Sequence, residues 1–304
     1  MNYSVTHHTV YRYSSTVVLC HSEARLGPRE TAWQRVYGHR VEIRPTPALT
    51  MERLDFFGNR VRYFSVRDIH QTLEVTAVSE VQVGKREFSE STRSPAWETA
   101  WQSLREDPDP EIREARQFTL ASPFIPAHRA LKDYVQSSFP PGRPLLEAVL
   151  DLTRRIYREF SYDPRFTTLA TPLAVVIENR RGVCQDFAHL GIGCLRSLGL
   201  AARYISGYLE TRPPPGRPRL VGADASHAWL AVYLPGQGWA EFDPTNNCMP
   251  GERHITLGWG RDYGDVAPLK GVMSGGGSHT LKVAVDVVPQ PVAVPKDDPD
   301  REGR

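Results

Sequence analysis

A long apolar segment that begins at a cysteine limits the fold more than any other feature of the sequence. The stretch RRGVCQDFAHLGIGCLRSLGL (residues 180–200) changes at Cys184 from charged and small residues to apolar ones. Phe187, Leu190 and Cys194 recur at helical spacing, which predicts a buried helix. Cys184 therefore lies at the start of this helix, either as its first buried residue or as a thiol presented to a cleft.

Three properties of the sequence around Cys184 favour a reactive thiolate over a buried structural thiol, which is the commoner state of a cysteine. Unpaired N–H groups and the helix dipole stabilise a thiolate at a helix start. Arg180 and Arg181 add positive potential, and Gly182 allows the backbone to turn sharply before the helix. The sequence therefore indicates Cys184 as a nucleophile.

The other three cysteines are predicted to be structural. Cys194 lies in the helix interior, and Cys20 and Cys248 have no helix start near them. The four cysteines form no CxxC pair in a chain of 304 residues, so we expect no disulfide framework and a cytoplasmic location. Metal-ligand spacing is absent too, and the sequence predicts no metal and no cofactor.

Two strands joined by a short loop follow the helix. SHAWLAVYL and WAEFDPT flank Pro235-Gly236-Gln237 and alternate as strands of a hairpin do. A three-residue loop pairs Leu234 with Gly238, and this register places His227 diagonally opposite Asp243 on one face of the hairpin. A four-residue loop would turn Asp243 to the opposite face. The sequence therefore predicts that a base and an acid meet beside the helix.

Other polar residues near these positions leave alternatives open. Glu241 shares the strand face of Asp243 and could compete for His227, and Asp224 could replace Asp243. Gln185 and Asp186 lie in the first helical turn, where the dipole favours an acid without any catalytic role.

Several motifs together resemble one protein family. They are RRGVCQDFAHL, RYISGY, ADASHAWLAVYLPGQGWAEFDPTNN and RHITLGWGRDYGDV. In this order they resemble the bacterial branch of the transglutaminase-like superfamily of papain-fold cysteine enzymes, over most of residues 144–290. The first 85 residues, with HHTVYRYSSTVVL and DFFGNRV, resemble the β-rich region that precedes this domain in such proteins.

The resemblance implies a triad in which Cys184 attacks a carboxamide carbon, His227 moves protons and Asp243 orients the imidazole. An acyl-thioester then passes to water or to an amine. Eukaryotic transglutaminases and papain-like proteases place a Trp or Gln before the cysteine to help bind the oxyanion. In this chain no Trp lies between Trp101 and Cys184, and no Gln lies between Gln136 and Cys184. The oxyanion donors are then expected to be backbone N–H groups, such as that of Cys184, or a side chain such as Tyr162.

The whole chain is predicted to have an α+β fold with a β-sandwich followed by a papain-like transglutaminase core, in which the cysteine helix packs on an antiparallel sheet. We expect a β-rich domain over residues 1–85, a connector with short helices over 86–143, the catalytic domain over 144–288 and a disordered tail over 289–304. Short Val- and Tyr-rich runs separated by turn residues support the first domain, and the helix LLEAVLDLTRRIYREF opens the third.

Composition excludes several classes of function. A net charge of +2 gives no electrostatic reason to expect nucleic acid or a membrane surface as a partner, and no apolar run is long enough to span a bilayer. We expect a hydrolase of amide or isopeptide bonds with a peptide or protein substrate, because no element indicates an amine site. A glutamine acyltransferase and a catalytically idle peptide-binding module are the alternatives, and the oligomeric state is not predicted.

Overall fold

The computed structural model of the chain describes residues 1–89, 92–169, 171–211 and 225–291. It contains helices and antiparallel strands, and the predicted α+β class is confirmed. Five strands come first: β1 (Asn2–Ala24), β2 (Gln34–Arg44), β3 (Leu49–Leu54), β4 (Arg60–Val66) and β5 (His70–Val83).

The long strand β1 organises the N-terminal region. Residues 2–12 of this strand pair with β5, residues 20–24 pair with β4, and β2 and β3 extend the sheet on the outer sides of β5 and β4. Alternate residues of β5, such as Leu73, Val75 and Ala77, are buried, as the sequence predicts. The sequence predicts a β-sandwich here, whereas hydrogen bonds join these strands into one sheet, because the 23 residues of β1 serve both halves.

Four helices follow the sheet: α1 (Trp97–Glu106), α2 (Pro110–Arg116), α3 (Arg129–Val135) and α4 (Leu145–Glu159). The first three lie in the predicted connector, yet their buried residues, Leu104, Ile112 and Leu131 among them, belong to the main apolar core. The predicted apolar stripe of α4 is buried in the same core. These helices therefore help to support the second half of the chain.

The second half is built around a four-stranded antiparallel sheet. Its elements are β6 (Ser161–Tyr162), α5 (Leu173–Asn179), β7 (Arg181–Gly182), α6 (Cys184–Ser197), β8 (Ala202–Leu209), β9 (Ala225–Leu234), β10 (Gly238–Phe242) and β11 (His254–Gly260). The strand order is β10-β9-β8-β11, and α6 packs on β9 and β8. Gly191 permits this close packing, since a Cβ atom there would lie 2.4 Å from the Leu230 side chain.

The last elements return to the N-terminal sheet. They are α7 (Tyr263–Val266), β12 (Leu269–Gly275) and β13 (His279–Gln290), and both strands pair with β1 to complete seven strands. Pro289 and Gln290, predicted to begin a disordered tail, belong to β13. The rest of that tail, and most of the predicted loop TRPPPGRPRLVGADA with Asp224, lie outside the described residues.

Two amide side chains of the N-terminal region cover the free edge of β11. Gln34 Nε2 donates to the Thr256 carbonyl at 2.7 Å, and Gln34 Oε1 accepts from the Thr256 N–H at 2.8 Å. Asn59 makes the same pair of hydrogen bonds to Trp259, at 2.8 and 3.0 Å. The two side chains thus replace a neighbouring strand along this edge. Within the described residues, no helix is long and apolar enough to cross a membrane.

Candidate active site

Helix α6 begins at Cys184 because an acidic side chain caps it. Asp186 Oδ2 accepts the N–H of Val183 at 2.8 Å and the hydroxyl of Thr167 at 2.7 Å. Asp186 thereby acts as the reciprocal acid of an N-terminal capping arrangement. Gly182 leaves room for this carboxylate, since a Cβ atom at that position would lie 2.8 Å from it. The cap fixes the first turn and leaves the Cys184 side chain partly exposed.

The hairpin of β9 and β10 has the predicted register. Leu234 pairs with Gly238, and the same register continues without a shift as far as Phe242. His227 Nε2 and Asp243 Oδ2 lie 2.7 Å apart, and both side chains are buried. The structure therefore brings together the base and the acid that the sequence singles out.

The His227 imidazole also interacts with the Cys184 sulfur. Because Nε2 faces Asp243, Nδ1 is the ring nitrogen that remains for the sulfur. Burial alone would lower the pKa of His227, but the hydrogen bond to Asp243 and the interaction with Cys184 raise it to about 10. Burial disfavours the Asp243 carboxylate, yet its hydrogen bonds to His227 and His254 hold the pKa of Asp243 well below its usual range. The His227 imidazole thus lies between the Asp243 carboxylate and the Cys184 sulfur.

Backbone and side-chain donors hold the Asp243 carboxylate in place. Oδ1 accepts the N–H groups of Thr245 and Asn246 at 2.9 and 3.1 Å, and Oδ2 accepts the Asn246 amide at 2.7 Å. These contacts arise from the turn that follows β10 in the motif DPTNN. The carboxylate therefore has a fixed orientation toward His227.

A second histidine reaches the same carboxylate, which the sequence does not indicate. His254 Nε2 lies 3.1 Å from Asp243 Oδ2, and His254 Nδ1 accepts the N–H of Gly251 at 3.3 Å. Because Nδ1 is an acceptor, Nε2 carries the hydrogen and donates to Asp243. Burial lowers the pKa of His254, although its hydrogen bond to Asp243 acts in the opposite direction. In the sequence, His254 is marked only by its position near the start of the motif RHITLGWG.

The nitrogen and oxygen atoms of His227, Asp243 and His254 lie within 4.8 Å of one another, close enough to share a metal ion. Hydrogen bonds already account for this proximity, since the hydrogen on His254 Nε2 occupies the lone-pair position that a metal would need. The absence of a metal requirement stays a prediction.

Glu241 does not compete for His227. Its Oε2 accepts the indole N–H of Trp229 at 2.7 Å, and its Oε1 forms a buried ion pair with Arg86 at 3.1 Å. Both carboxylate oxygens are therefore engaged on the same face of the hairpin, away from the imidazole.

Tyr162, which the sequence suggests as an oxyanion donor, lies near Cys184. Strand β6 pairs in parallel with β7 and places Tyr162 beside Gly182. Burial of its ring raises the pKa of Tyr162, and the charges of Cys184 and Asp186 raise it further. Its role and that of the Cys184 backbone N–H stay predictions.

A cysteine at a helix start, with a histidine and an aspartate on neighbouring strands, defines the class of papain-like cysteine-enzyme sites. Residues 3–82 match the bacterial transglutaminase-like N-terminal region, and residues 132–244 match the transglutaminase-like superfamily. The chain belongs to the transglutaminase-like superfamily, as the sequence motifs predict.

Known relatives agree with this assignment. The uncharacterized protein Rv2569c of Mycobacterium tuberculosis is 42% identical over 94% of this chain and 92% of its own length. A protein-glutamine gamma-glutamyltransferase of Pseudomonas aeruginosa is 30% identical over 50% of this chain and 23% of its own length. The crystal structure of a candidate cysteine protease from Cytophaga hutchinsonii has a TM-score of 0.72, with 21% identity over 95% of this chain and 91% of that one. This last likeness shows the fold.

Proposed function

We propose that the protein is a cysteine-dependent amide or isopeptide hydrolase that acts on a peptide or protein through an acyl-thioester on Cys184. The observation that carries the proposal is the His227 imidazole, which is hydrogen-bonded to Asp243 and interacts with the Cys184 sulfur. Membership of a superfamily of cysteine enzymes supports it.

The first half-reaction forms the thioester. Cys184 reacts as a thiolate whose proton has passed to the His227 imidazole. Its sulfur attacks the carbonyl carbon, and the carbonyl oxygen becomes an oxyanion that accepts the N–H of Cys184 at the helix start. The carbon–nitrogen bond then breaks as His227 gives its proton to the leaving nitrogen. Asp243 keeps the imidazole oriented and charged until this transfer. An amine leaves, and the acyl group remains on sulfur.

The second half-reaction regenerates the enzyme. Neutral His227 takes a proton from water, whose oxygen attacks the thioester carbon, and the carbon–sulfur bond breaks. The products are a carboxylic acid and the cysteine paired with an imidazolium. We favour hydrolysis over transfer to an amine because water is always present, whereas an amine must be held by the protein to compete with it.

A protein-glutamine acyltransferase is the second candidate. The matching segment of a Pseudomonas aeruginosa enzyme with that name favours it. Both reactions share the acyl-thioester and differ only in the acceptor. The idle binding module is disfavoured because binding alone gives no reason to align Cys184, His227 and Asp243.

A peptide library with a mass-spectrometric readout separates these functions. Wild-type protein is incubated with the library, with and without a biotinylated primary amine. Cleaved or deamidated peptides support hydrolysis, and amine adducts support acyl transfer. Cys184→Ala should give neither, while the matched variant Cys194→Ala should retain whichever reaction the wild type performs. Equal turnover by Cys184→Ala would refute a thioester on Cys184, and an inactive wild type would leave the binding module as the remaining function.

A further inference from the structure

A second polar site lies on the face of the hairpin that carries Trp229 and Glu241. Arg203, in β8, is 5% exposed and lines a cavity of about 200 Å³ together with Trp33, Arg86, Trp239 and Glu241. The exposed residues Glu87 and Gln237 also line it, so the cavity reaches the protein surface.

Arg203 has no hydrogen-bond acceptor among the residues that the structure describes. Its guanidinium carbon lies 4.3 Å from the ring centre of Trp239 and 3.8 Å from that of Trp259. Its Nε is buried without a partner, and none of its guanidinium N–H groups donates to an acceptor in the described part of the chain. The aromatic rings attract the cation but accept no conventional hydrogen bond, so its donor capacity is unused.

Arg196 shows that this fold can satisfy a buried arginine. It is 8% exposed, and its guanidinium donates to the carbonyls of Phe118, Ala202 and Arg261 at 2.6–2.9 Å. Its remaining contact is with the hydroxyl of Ser122 at 3.2 Å. The open donors of Arg203 are therefore a property of its own site and not of buried arginines in this protein.

The unsatisfied donors of the cavity point to an anionic ligand. The oxygens of Glu241 are engaged by Arg86 and Trp229, at 3.1 and 2.7 Å. Two further atoms in the lining, Arg86 Nε and Trp33 Nε1, are buried donors without an acceptor among the described residues. Burial lowers the pKa of Arg203 to about 9 although Glu241 acts in the opposite direction, which is the behaviour of a cation that lacks a counterion.

We propose that this cavity binds a small organic carboxylate through the guanidinium of Arg203. A planar carboxylate matches the fork of donors on an arginine. The volume lies below the roughly 300 Å³ at which ordinary small-molecule sites begin, which limits the ligand to a small one. Trp33, Trp239 and Met249 supply apolar walls for a short carbon chain. The proposal is independent of the reaction at Cys184.

Titration of the wild-type chain with sodium acetate tests the site, with intrinsic tryptophan fluorescence and the melting temperature as readouts. Three tryptophans contact Arg203 or line the cavity, so occupancy should give a saturable fluorescence change. Ligand binding to the folded state should also raise the melting temperature with acetate concentration. Sodium chloride at equal ionic strength should do neither, and an equal response to chloride would overturn the proposal.

Matched variants assign the response to a residue. Arg203→Met should weaken acetate binding by roughly tenfold or more, because the charge-assisted donors are lost. Arg105→Met is the control, since Arg105 is exposed and stacks on Trp101 at 4.7 Å outside the cavity. It should leave the affinity unchanged. If Arg203→Met does not fold, NMR of the arginine Nε–H groups of the wild type replaces this variant. The resonance of a buried Nε–H group should shift when acetate is added. The absence of any shift would refute the site.

Competition experiments separate the sources of the carboxylate. A short peptide with a free C-terminus that displaces acetate, while its C-terminal amide does not, identifies a peptide end as a ligand. Failure of both peptides with acetate still bound identifies a free carboxylate. Sulfate or phosphate that displaces acetate at lower concentration would overturn the assignment to a carboxylate.

Discussion

The two cysteines of helix α6 show how position within one helix decides what a thiol can do. Cys184, at the first residue, is partly exposed and interacts with the His227 imidazole. Cys194 is fully buried, its sulfur faces the Leu131 carbonyl at 3.6 Å, and burial raises the pKa of the Cys194 thiol far above its usual range. The same side chain is thus accessible beside a histidine at the helix start and packed as an apolar group in the helix interior.

Replacing the first of these cysteines should have the largest effect. Cys184→Ala removes the only atom that can form the thioester, so turnover should fall below detection. Because the side chain is partly exposed, the free energy of unfolding should change little. Steady-state assays with circular dichroism check both statements. Measurable covalent turnover in this variant would erase the distinction between the two cysteines.

Removing the negative charge of Asp243 should make the surroundings of Cys184 less favourable for a thiolate, because the His227 imidazolium loses its support. Asp243→Asn deprives His227 of its ion-pair partner and removes the carboxylate that accepts the hydrogen of Nε2. The same change in a serine triad costs about 10⁴ in kcat, and a thiolate already paired with imidazolium should lose less, roughly 10²–10⁴-fold. Single-turnover acylation kinetics measure the loss. An unchanged acylation rate would show that Asp243 does not support His227.

His254 offers a finer test of the same support. His254→Ala removes one hydrogen bond to a buried carboxylate, which is worth about 1.5–3 kcal/mol and corresponds to roughly 10- to 150-fold in kcat/KM. His254→Gln can place an amide N–H near the former Nε2 and should retain much of the activity. Equal losses in the two variants would assign His254 a packing role instead of one in orienting Asp243.

The pH dependence should reflect the protonated imidazole. The pKa of His227 is raised, so its proton is retained through neutral pH and lost as the pH rises through about 10. The rate of acylation should therefore be level near neutrality and decline above that value, by about tenfold for each further pH unit. In Asp243→Asn the decline should begin at lower pH. A decline that begins near pH 7 in the wild type would contradict the assigned protonation state.

The smallest effect should come from the interior cysteine. Cys194→Ser buries a hydroxyl in an apolar core, and the free energy of unfolding should fall by about 1–3 kcal/mol. The activity of each folded molecule should stay unchanged. Urea unfolding combined with assays corrected for the folded fraction provides the measurement. Loss of activity without loss of stability would show that Cys194 contributes to the site.

Local patterns account for what the sequence could predict. Helical spacing locates α4 and α6, and the loop between β9 and β10 fixes the register that joins His227 to Asp243. Local patterns cannot predict that β12 and β13 pair with β1, because these strands lie more than two hundred residues away from it in the sequence. The contact of His254 with Asp243 escapes them for another reason: only eleven residues separate the two, but they meet only after β11 joins the sheet beside β8.

The amide side chains of Gln34 and Asn59 bear on how this protein can be dissected for experiments. In the intact chain they occupy the donors and acceptors along part of the outer edge of β11. A fragment that starts after residue 85 would lack both, and Thr256 and Trp259 would present an open strand edge. Such edges template pairing with other chains. The isolated C-terminal half should therefore self-associate and precipitate, and its soluble production calls for the N-terminal region, supplied in the same chain or by co-expression.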